Sequence, residues 1–148
     1  TRKFAEKFAK DILIFPLKQT AEIFALQGEL GSGKTTFVQG FFKGLGIRSR
    51  ALSPTFIIMR RHKINVRKKR FLNVFHMDAY RLKNPKDTSP LGFKEIVGNP
   101  ENILLVEWPE NIRRALPKNS FWIKFSHGKK ENERIIHLNL KNNDRFVV

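Results

Sequence analysis

The sequence contains no cysteine, so disulfide frameworks and thiolate metal sites are excluded. A chain without cysteine is compatible with a reducing compartment, and we expect a cytoplasmic protein. No apolar run approaches the roughly 20 residues that a membrane-spanning helix requires, and charged residues interrupt segment 2–11, where a signal peptide needs an apolar stretch. We therefore predict no association with a membrane.

Acidic residues are also scarce. The chain has 13 Asp and Glu against 29 Lys and Arg, which gives a formal net charge of +16. An excess of this size attracts polyanions, so nucleic acid and acidic protein surfaces are the natural partners. A general enrichment in lysine produces the same excess, and the charge alone does not identify a partner.

What is present indicates a globular α/β protein. A length of 148 residues suits one domain, and 41% of the residues are hydrophobic. Apolar residues recur at helical spacing in segments 4–12 and 37–45, and short apolar runs at 23–26 and 103–106 are typical of buried strands. We predict a single domain over residues 1–148, with a sheet that is parallel at its centre and flanked by helices.

Further strand patterns predict antiparallel strands at the margins of this sheet. Segments 56–59 and 71–75 predict a hairpin, and segments 121–125 and 135–140 predict a second strand pair. The hairpin tip carries Arg67, Lys68, Lys69 and Arg70, which form either a solvated turn or a contact with phosphates or an acidic surface. The remaining predictions are a loop at 84–90 and a helix at 110–116.

A phosphate-binding motif lies between the first apolar strand and the second helix. Residues 28–35 read GELGSGKT and satisfy the P-loop pattern G-x-x-x-x-G-K-[ST] in full. Its glycines let backbone N–H groups point at phosphate oxygens, and the following helix presents its positive N-terminus to the same anion. Lys34 should reach the β- and γ-phosphates, and the Thr35 hydroxyl should bind Mg²⁺. The residues predicted to bind the nucleotide are Glu29, Leu30, Gly31, Ser32, Gly33, Lys34, Thr35 and Thr36.

Two carboxylates are candidates for the metal-facing position beside this loop. Glu107 follows the apolar run 103–106, and Asp78 follows the less uniform segment 74–77. The more apolar strand favours Glu107, although one carboxylate can bind the metal while the other orients the attacking water. Both assignments stay open at this point.

Two more residues belong to the neighbourhood of the predicted site. Thr55, in the segment Ser53-Pro54-Thr55, either faces the γ-phosphate or simply starts a strand. Trp108 either packs beside Glu107 or forms a wall of the site. The chain has no N-K-x-D guanine-reading motif, so ATP is favoured over GTP.

Five segments together resemble one family. They are, in chain order, GELGSGKTTFVQGF, SPTF, HMDAYRL, LGFKEI and VEWPE. Their combination is similar to the TsaE (YjeE) family, small P-loop ATPases of bacterial tRNA threonylcarbamoyladenosine biosynthesis, and the similarity runs from about residue 23 to residue 116. The resemblance implies magnesium-dependent ATP hydrolysis within an assembly with TsaD and TsaB, which modifies adenosine in tRNA. The tRNA is then contacted either directly or through that assembly.

The resemblance also implies roles for individual residues. It implies that Thr35 and Glu107 hold Mg²⁺ and that Lys34 contacts the phosphates. It implies that Asp78 is needed for activity and that Thr55 lies in a switch-like segment facing the γ-phosphate.

The departures from the family pattern are modest. Ser32 stands where alanine is usual, DAYR replaces DLYR, and the basic hairpin tip is not a family feature. Two other functions stay open: a P-loop kinase for a small molecule or nucleotide, and a nucleotide-gated switch that binds tRNA. A kinase transfers phosphate to an acceptor, the TsaE-like activity releases it to water with partners present, and a switch releases little.

Overall fold

The computed structural model describes residues 1–14, 16, 18–48, 57–64 and 70–139. The first half of the described chain contains α1 (Arg2–Ile12), β1 (Glu22–Gly28), α2 (Lys34–Gly44), β2 (Met59–Lys63) and β3 (Asn73–Asp78). The second half contains a 3₁₀-helix (Pro85–Leu91), α3 (Phe93–Gly98), β4 (Asn102–Glu107), a second 3₁₀-helix (Pro109–Ile112), β5 (Phe121–His127) and β6 (Arg134–Asn139). Among these described elements, no helix has the length and apolarity to cross a membrane.

The described strands form a six-stranded sheet in the order β2-β3-β4-β1-β5-β6. The four central strands run parallel, whereas β2 and β6 are antiparallel to their neighbours at the two edges. The predicted α/β class, with a parallel centre and antiparallel margins, is thus confirmed. Parallel strands have both faces covered, which explains why β1 and β4 consist mainly of buried apolar residues.

The register of the central strands determines where the functional side chains meet. Asp78 of β3 lies opposite Glu107 of β4, and Glu107 lies opposite Leu26 of β1. The carboxyl ends of parallel strands share one edge of the sheet, and ligands bind there in open α/β folds. Both carboxylates therefore end beside the loop that follows β1.

An aromatic core lies between the sheet and the helices α1 and α2. Phe8 of α1 and Phe41 of α2 both contact Phe24 of β1, with ring centroids 5.5 and 5.6 Å apart. Burial of one such side chain stabilises the fold by about 1.5–3 kcal/mol. On the opposite face of the sheet, α3 and the two 3₁₀-helices cover a second core that includes Leu104 and Val106.

Two glycines allow α1 to pack closely against α2. A Cβ atom on Gly40 would lie 2.3 Å from the Arg2 carbonyl oxygen, and one on Gly44 would lie 2.4 Å from the Glu6 carbonyl oxygen. Real side chains do not tolerate such distances, so the helix contact requires glycine at both positions. This contact packs the second half of α2 closely against α1.

The first predicted hairpin is present, but its strands are shifted. β2 begins at Met59 and continues to Lys63, whereas the sequence pattern predicted a strand at 56–59. β3 runs from Asn73 to Asp78 instead of 71–75, because its ladder with β4 continues to Glu107. Residues 65–69, which include most of the basic tip, lie outside the described residues.

Two connecting segments differ from prediction. The loop predicted at 84–90 is a 3₁₀-helix, whose start is capped because Asn84 Oδ1 accepts from Lys86 N and Asp87 Oδ2 accepts from Asn84 N. The prediction of a helix at 110–116 is wrong, since only the short 3₁₀-helix Pro109–Ile112 forms there. The Asn111 side chain donates to the carbonyl oxygen of Ala79 at 3.0 Å, which ties this segment to the end of β3.

Candidate functional site

The phosphate-binding motif forms a tight turn between β1 and α2. Gly31 and Gly33 have φ angles of 74° and 102°, a left-handed region that favours glycine, and α2 begins immediately afterwards at Lys34. Gly28 is required for a different reason, since a Cβ atom there would lie 2.6 Å from the Phe125 carbonyl oxygen of β5. The structure thus places the predicted nucleotide-binding residues, 29–36, in one loop and the first turn of one helix.

Lys34 is buried within this turn. Its Nζ donates to the carbonyl oxygens of Gly28 at 2.6 Å and Glu29 at 2.8 Å, and it lies 4.1 Å from the centroid of a ring of Trp108. Burial lowers the pKa of the Lys34 ammonium from its ordinary value, because charge is less well solvated there. Three carboxylates oppose this pKa shift: Glu107, Glu110 and Asp78. The ammonium is therefore held at the loop by two carbonyls and an aromatic face.

Glu107 connects the loop to the neighbouring strands. The Thr35 hydroxyl lies 3.2 Å from Glu107 Oε2 and 3.4 Å from Oε1, so it donates to this carboxylate. On its other side, Glu107 Oε1 lies 2.8 Å from Nε2 of His76. Glu107 and His76 are both buried, so the carboxylate is held between a hydroxyl and an imidazole.

Asp78 occupies the equivalent position on the next strand, but its surroundings differ. Its Oδ1 accepts from the backbone N–H of Tyr80 at 3.0 Å, and the residue is only half-buried. The two candidate carboxylates therefore share an edge of the sheet, with Glu107 nearer the loop hydroxyl and Asp78 nearer solvent. Thr55, with the rest of the segment Ser53-Pro54-Thr55, lies outside the described residues.

The donor set near Thr35 fits magnesium. A hydroxyl and a carboxylate are hard oxygen ligands, and Mg²⁺ is usually bound by one or two carboxylates together with waters and substrate phosphates. Among the described residues, no group of three or more His, Cys, Asp or Glu side chains is arranged to hold a metal. A magnesium ion at Thr35 and Glu107 would therefore depend on the phosphates of a nucleotide for further ligands.

Trp108 forms a wall of the site, which was one of its two predicted roles. Among the described residues, Trp108 is the only residue other than glycine with a positive φ angle, 57°. This left-handed backbone conformation costs roughly 1–2 kcal/mol. Its ring packs against the ring of Tyr80, with centroids 5.1 Å apart, and against the Lys34 ammonium. A strained residue held beside a cleft is a common feature of functional sites.

A cavity of about 500 Å³ opens beside the loop. It is lined by residues 27–29, by Trp108 and Glu110, and by residues 124–127 at the end of β5. Its volume falls within the range of small-molecule sites, roughly 300–1,000 Å³. The first two residues of the phosphate loop and Trp108 therefore border this cavity, whose lining does not include Asp78 or Glu107.

Sequence reasoning missed Arg134, which reaches the loop from β6. Its Nε donates to the Gly31 carbonyl oxygen at 3.1 Å, and Nη1 donates to the carbonyl oxygens of Glu131 and Glu133. The guanidinium thus ties the turn between β5 and β6 to the phosphate loop. No local signal in the sequence marks this contact, because its partners are 103 residues apart.

Comparisons with known proteins identify relatives of this chain. Residues 1–136 match the profile of the family described as "Threonylcarbamoyl adenosine biosynthesis protein TsaE". Two proteins named "tRNA threonylcarbamoyladenosine biosynthesis protein TsaE" are similar: one from Bacillus subtilis at 37% identity over 102 residues, and one from Rickettsia prowazekii at 33% over 117 residues. The matches cover 69% and 78% of this chain, and 60% and 72% of the two relatives.

A solved structure shows the same fold. The crystal structure of Bacillus subtilis YdiB matches with a TM-score of 0.69 and 29% sequence identity. The match covers 93% of this chain and 79% of the YdiB chain. The likeness therefore extends over nearly the whole described sheet and its helices.

Proposed function

The chain belongs to the TsaE family of threonylcarbamoyl adenosine biosynthesis proteins, and from that premise we propose that it binds ATP with Mg²⁺ at the phosphate loop and hydrolyses it. One observation carries the proposal: the Thr35 hydroxyl and the Glu107 carboxylate meet 3.2 Å apart at the start of the helix that the loop opens. A loop hydroxyl and a carboxylate at the end of a neighbouring strand are the types of ligand with which P-loop proteins hold a magnesium ion against phosphates.

Different residues of the chain have different roles in ATP binding and hydrolysis. The backbone N–H groups of the loop and the positive end of α2 bind the β-phosphate. Lys34 turns from the carbonyl oxygens of Gly28 and Glu29 to the β- and γ-phosphates, where its charge stabilises the leaving group. Thr35 and Glu107 would hold Mg²⁺, which neutralises charge that develops on the phosphate oxygens when it is bound.

Asp78 is assigned to the attacking water. The water oxygen bonds to the γ-phosphorus while the bond from that phosphorus to the β–γ bridging oxygen breaks, and ADP leaves with the electron pair. Asp78 lies at the same edge of the sheet as Glu107 and is less buried, which supports a role in which its carboxylate orients the water and accepts its proton.

Exposed apolar residues at the site support the partner assignment. Leu30 in the phosphate loop is 85% exposed, and Tyr80, which packs on Trp108, is 64% exposed. Aromatic residues such as Tyr80 are enriched at protein interfaces, and we refer to Leu30 and Tyr80 as the rim of the site. We assign this rim to the assembly with TsaD and TsaB, in which hydrolysis is stimulated, and the net charge of +16 favours an approach to tRNA.

Replacement of Lys34 tests the proposal. Lys34→Ala removes the ammonium that contacts the phosphates, so hydrolysis should fall by at least about 100-fold and ATP should bind more weakly. The measurement is inorganic phosphate released to water by the chain mixed with TsaD, TsaB and tRNA. Omission of any phosphate acceptor distinguishes hydrolysis from a kinase reaction.

Lys43→Ala is the matched control. Lys43 lies on the same helix, is exposed, and pairs with Glu6 at 2.9 Å away from the site. It should keep wild-type turnover. Equal turnover of Lys34→Ala and wild type would contradict the proposed use of the loop.

A further inference from the structure

His76 is buried on β3, beside the carboxylate that ends the neighbouring strand β4. Only 1% of its surface and 3% of that of Glu107 are exposed. Nε2 of His76 lies 2.8 Å from Glu107 Oε1. A buried carboxylate requires hydrogen-bond donors and an ionised one only accepts, so we assign the ring proton of this pair to Nε2.

The imidazole itself is held in a defined orientation. Phe42 of α2 packs against the His76 ring, with centroids 6.1 Å apart and an interplanar angle of 85°. The same helix carries Thr35, whose hydroxyl lies nearer to the other oxygen of Glu107, 3.2 Å from Oε2. One helix therefore supplies both the packing that orients the imidazole and the hydroxyl that faces the carboxylate.

We propose that His76 is a positioning residue, which orients the Glu107 carboxylate so that its oxygens face Mg²⁺ next to the Thr35 hydroxyl. The inference rests on the proposed function, since it concerns the same metal position. His76 does not face the nucleotide, and it acts only through Glu107. Residues that hydrogen-bond to a metal ligand keep that ligand in a productive orientation, and their loss typically weakens metal affinity by about 10–100-fold.

A purely structural role predicts something different. If His76 only filled space between β3 and α2, an apolar side chain of similar size would serve equally well, and magnesium affinity would not change. If the hydrogen bond matters, an apolar replacement should fail, and a side chain that donates from the same place should succeed. Gln is that side chain, because its amide nitrogen extends to about the position of Nε2.

The test compares His76→Leu with His76→Gln. ATP affinity is measured by intrinsic tryptophan fluorescence, to which Trp108 beside Lys34 contributes, over a series of Mg²⁺ concentrations and in EDTA. We expect His76→Leu to raise the Mg²⁺ concentration for half-maximal tight ATP binding by about 10–100-fold. Its ATP affinity in EDTA should match that of wild type, and His76→Gln should restore most of the magnesium response.

His62→Leu is the matched control. His62 packs on the same Phe42 ring, with centroids 4.6 Å apart, from the neighbouring strand β2. Its replacement perturbs the same aromatic contact without touching the His76–Glu107 bond. We expect it to keep the wild-type magnesium requirement.

The outcomes separate this inference from the function on which it rests. A folded His76→Leu protein with the wild-type magnesium requirement overturns the positioning role alone. A wild-type chain whose ATP affinity does not respond to Mg²⁺ overturns the proposed function and the inference with it. Should His76→Leu fail to fold, His76→Asn replaces it, because the Asn amide is too short to reach Glu107 and the same magnesium comparison then decides.

Discussion

Single residues at the carboxyl edge of the sheet differ in their surroundings more than in their chemistry. Asp78 and Glu107 end adjacent strands in register. Glu107 is buried between Thr35 and His76, whereas Asp78 is half-buried and accepts from the backbone of Tyr80. A buried, doubly hydrogen-bonded carboxylate is suited to a fixed ligand position, and a more exposed one is suited to work on water.

This difference predicts distinct effects of neutralising each carboxylate. Glu107→Gln should raise the magnesium concentration needed for tight ATP binding, because the amide is a poorer ligand for a hard cation. Asp78→Asn should bind ATP with Mg²⁺ normally but turn over at least roughly 100-fold more slowly. Nucleotide titrations and phosphate release measure the two effects.

Glu95→Gln provides the control for this pair. Glu95 is exposed on α3, outside the phosphate loop and the carboxyl edge of the sheet, so its neutralisation should change neither quantity. If Asp78→Asn instead altered the magnesium requirement and Glu107→Gln only the rate, the two assignments would have to be exchanged.

The buried hydroxyl of Ser32 lowers the stability of the loop. Ser32 is fully buried, and its hydroxyl has no hydrogen-bond partner among the described residues. Ser32→Ala should therefore leave the free energy of unfolding unchanged or raise it by about 1 kcal/mol. Urea denaturation measures this change. Ser120→Ala is the comparison, because the Ser120 hydroxyl donates to the Pro117 carbonyl oxygen at 2.7 Å, and its removal should lower stability by about 0.5–1.5 kcal/mol.

At the scale of elements, the contact between α1 and α2 depends on glycine. A helix interior normally gains about 1 kcal/mol when alanine replaces glycine. At Gly40 the new Cβ would lie 2.3 Å from the Arg2 backbone, so the two helices must move apart. We expect Gly40→Ala to lower the free energy of unfolding by about 1–3 kcal/mol, measured by urea denaturation.

Gly98→Ala tests whether steric space or helix propensity determines the effect of a Gly→Ala replacement on the free energy of unfolding. Gly98 ends α3, and a Cβ atom there would meet no atom within 4 Å. Its replacement should be neutral or mildly stabilising. If the Gly40→Ala and Gly98→Ala proteins had equal free energies of unfolding, α1 would be able to move away from the new methyl group without loss of stability.

At the scale of the whole molecule, the charge excess is left largely uncompensated. The chain has 29 Lys and Arg, and within the described residues only Lys10, Lys18 and Lys43 pair with carboxylates. Screening acts over about 8 Å at physiological salt, so the remaining cations present a field that attracts an anionic partner at short range. The densest part, at residues 67–70, stays a prediction, because only Arg70 belongs to the described residues.

Salt dependence measures whether that basic run contacts RNA. Replacement of Arg67, Lys68, Lys69 and Arg70 by Ser should weaken tRNA binding and reduce its salt slope by about one for each phosphate that the chain no longer neutralises. ATP binding should not change. Replacement of the exposed residues Lys83, Lys86, Lys94 and Lys118 by Ser removes the same charge elsewhere and should leave a steeper slope than the first variant. If the two quadruple variants had equal salt slopes of tRNA binding, the binding would depend on net charge alone.

What the sequence by itself determined was local. The loop motif, the α/β class and the two carboxylates at strand ends follow from spacing and periodicity, because each depends on neighbours within a few residues. The sequence pattern predicted the wrong structure for two segments, which form the 3₁₀-helices Pro85–Leu91 and Pro109–Ile112. Side-chain caps stabilise the first, and a hydrogen bond from Asn111 to the end of β3 stabilises the second. Tertiary contacts there outweigh the local pattern.

Only the tertiary structure decided which side chains meet at the loop. The contact of His76 with Glu107 depends on how β3 pairs with β4, and that of Arg134 with Gly31 depends on the return of β6 across the domain. Trp108 lies over Lys34 because a strained turn follows β4. Strand register and chain crossings join residues far apart in sequence, so no pattern of neighbouring residues encodes them.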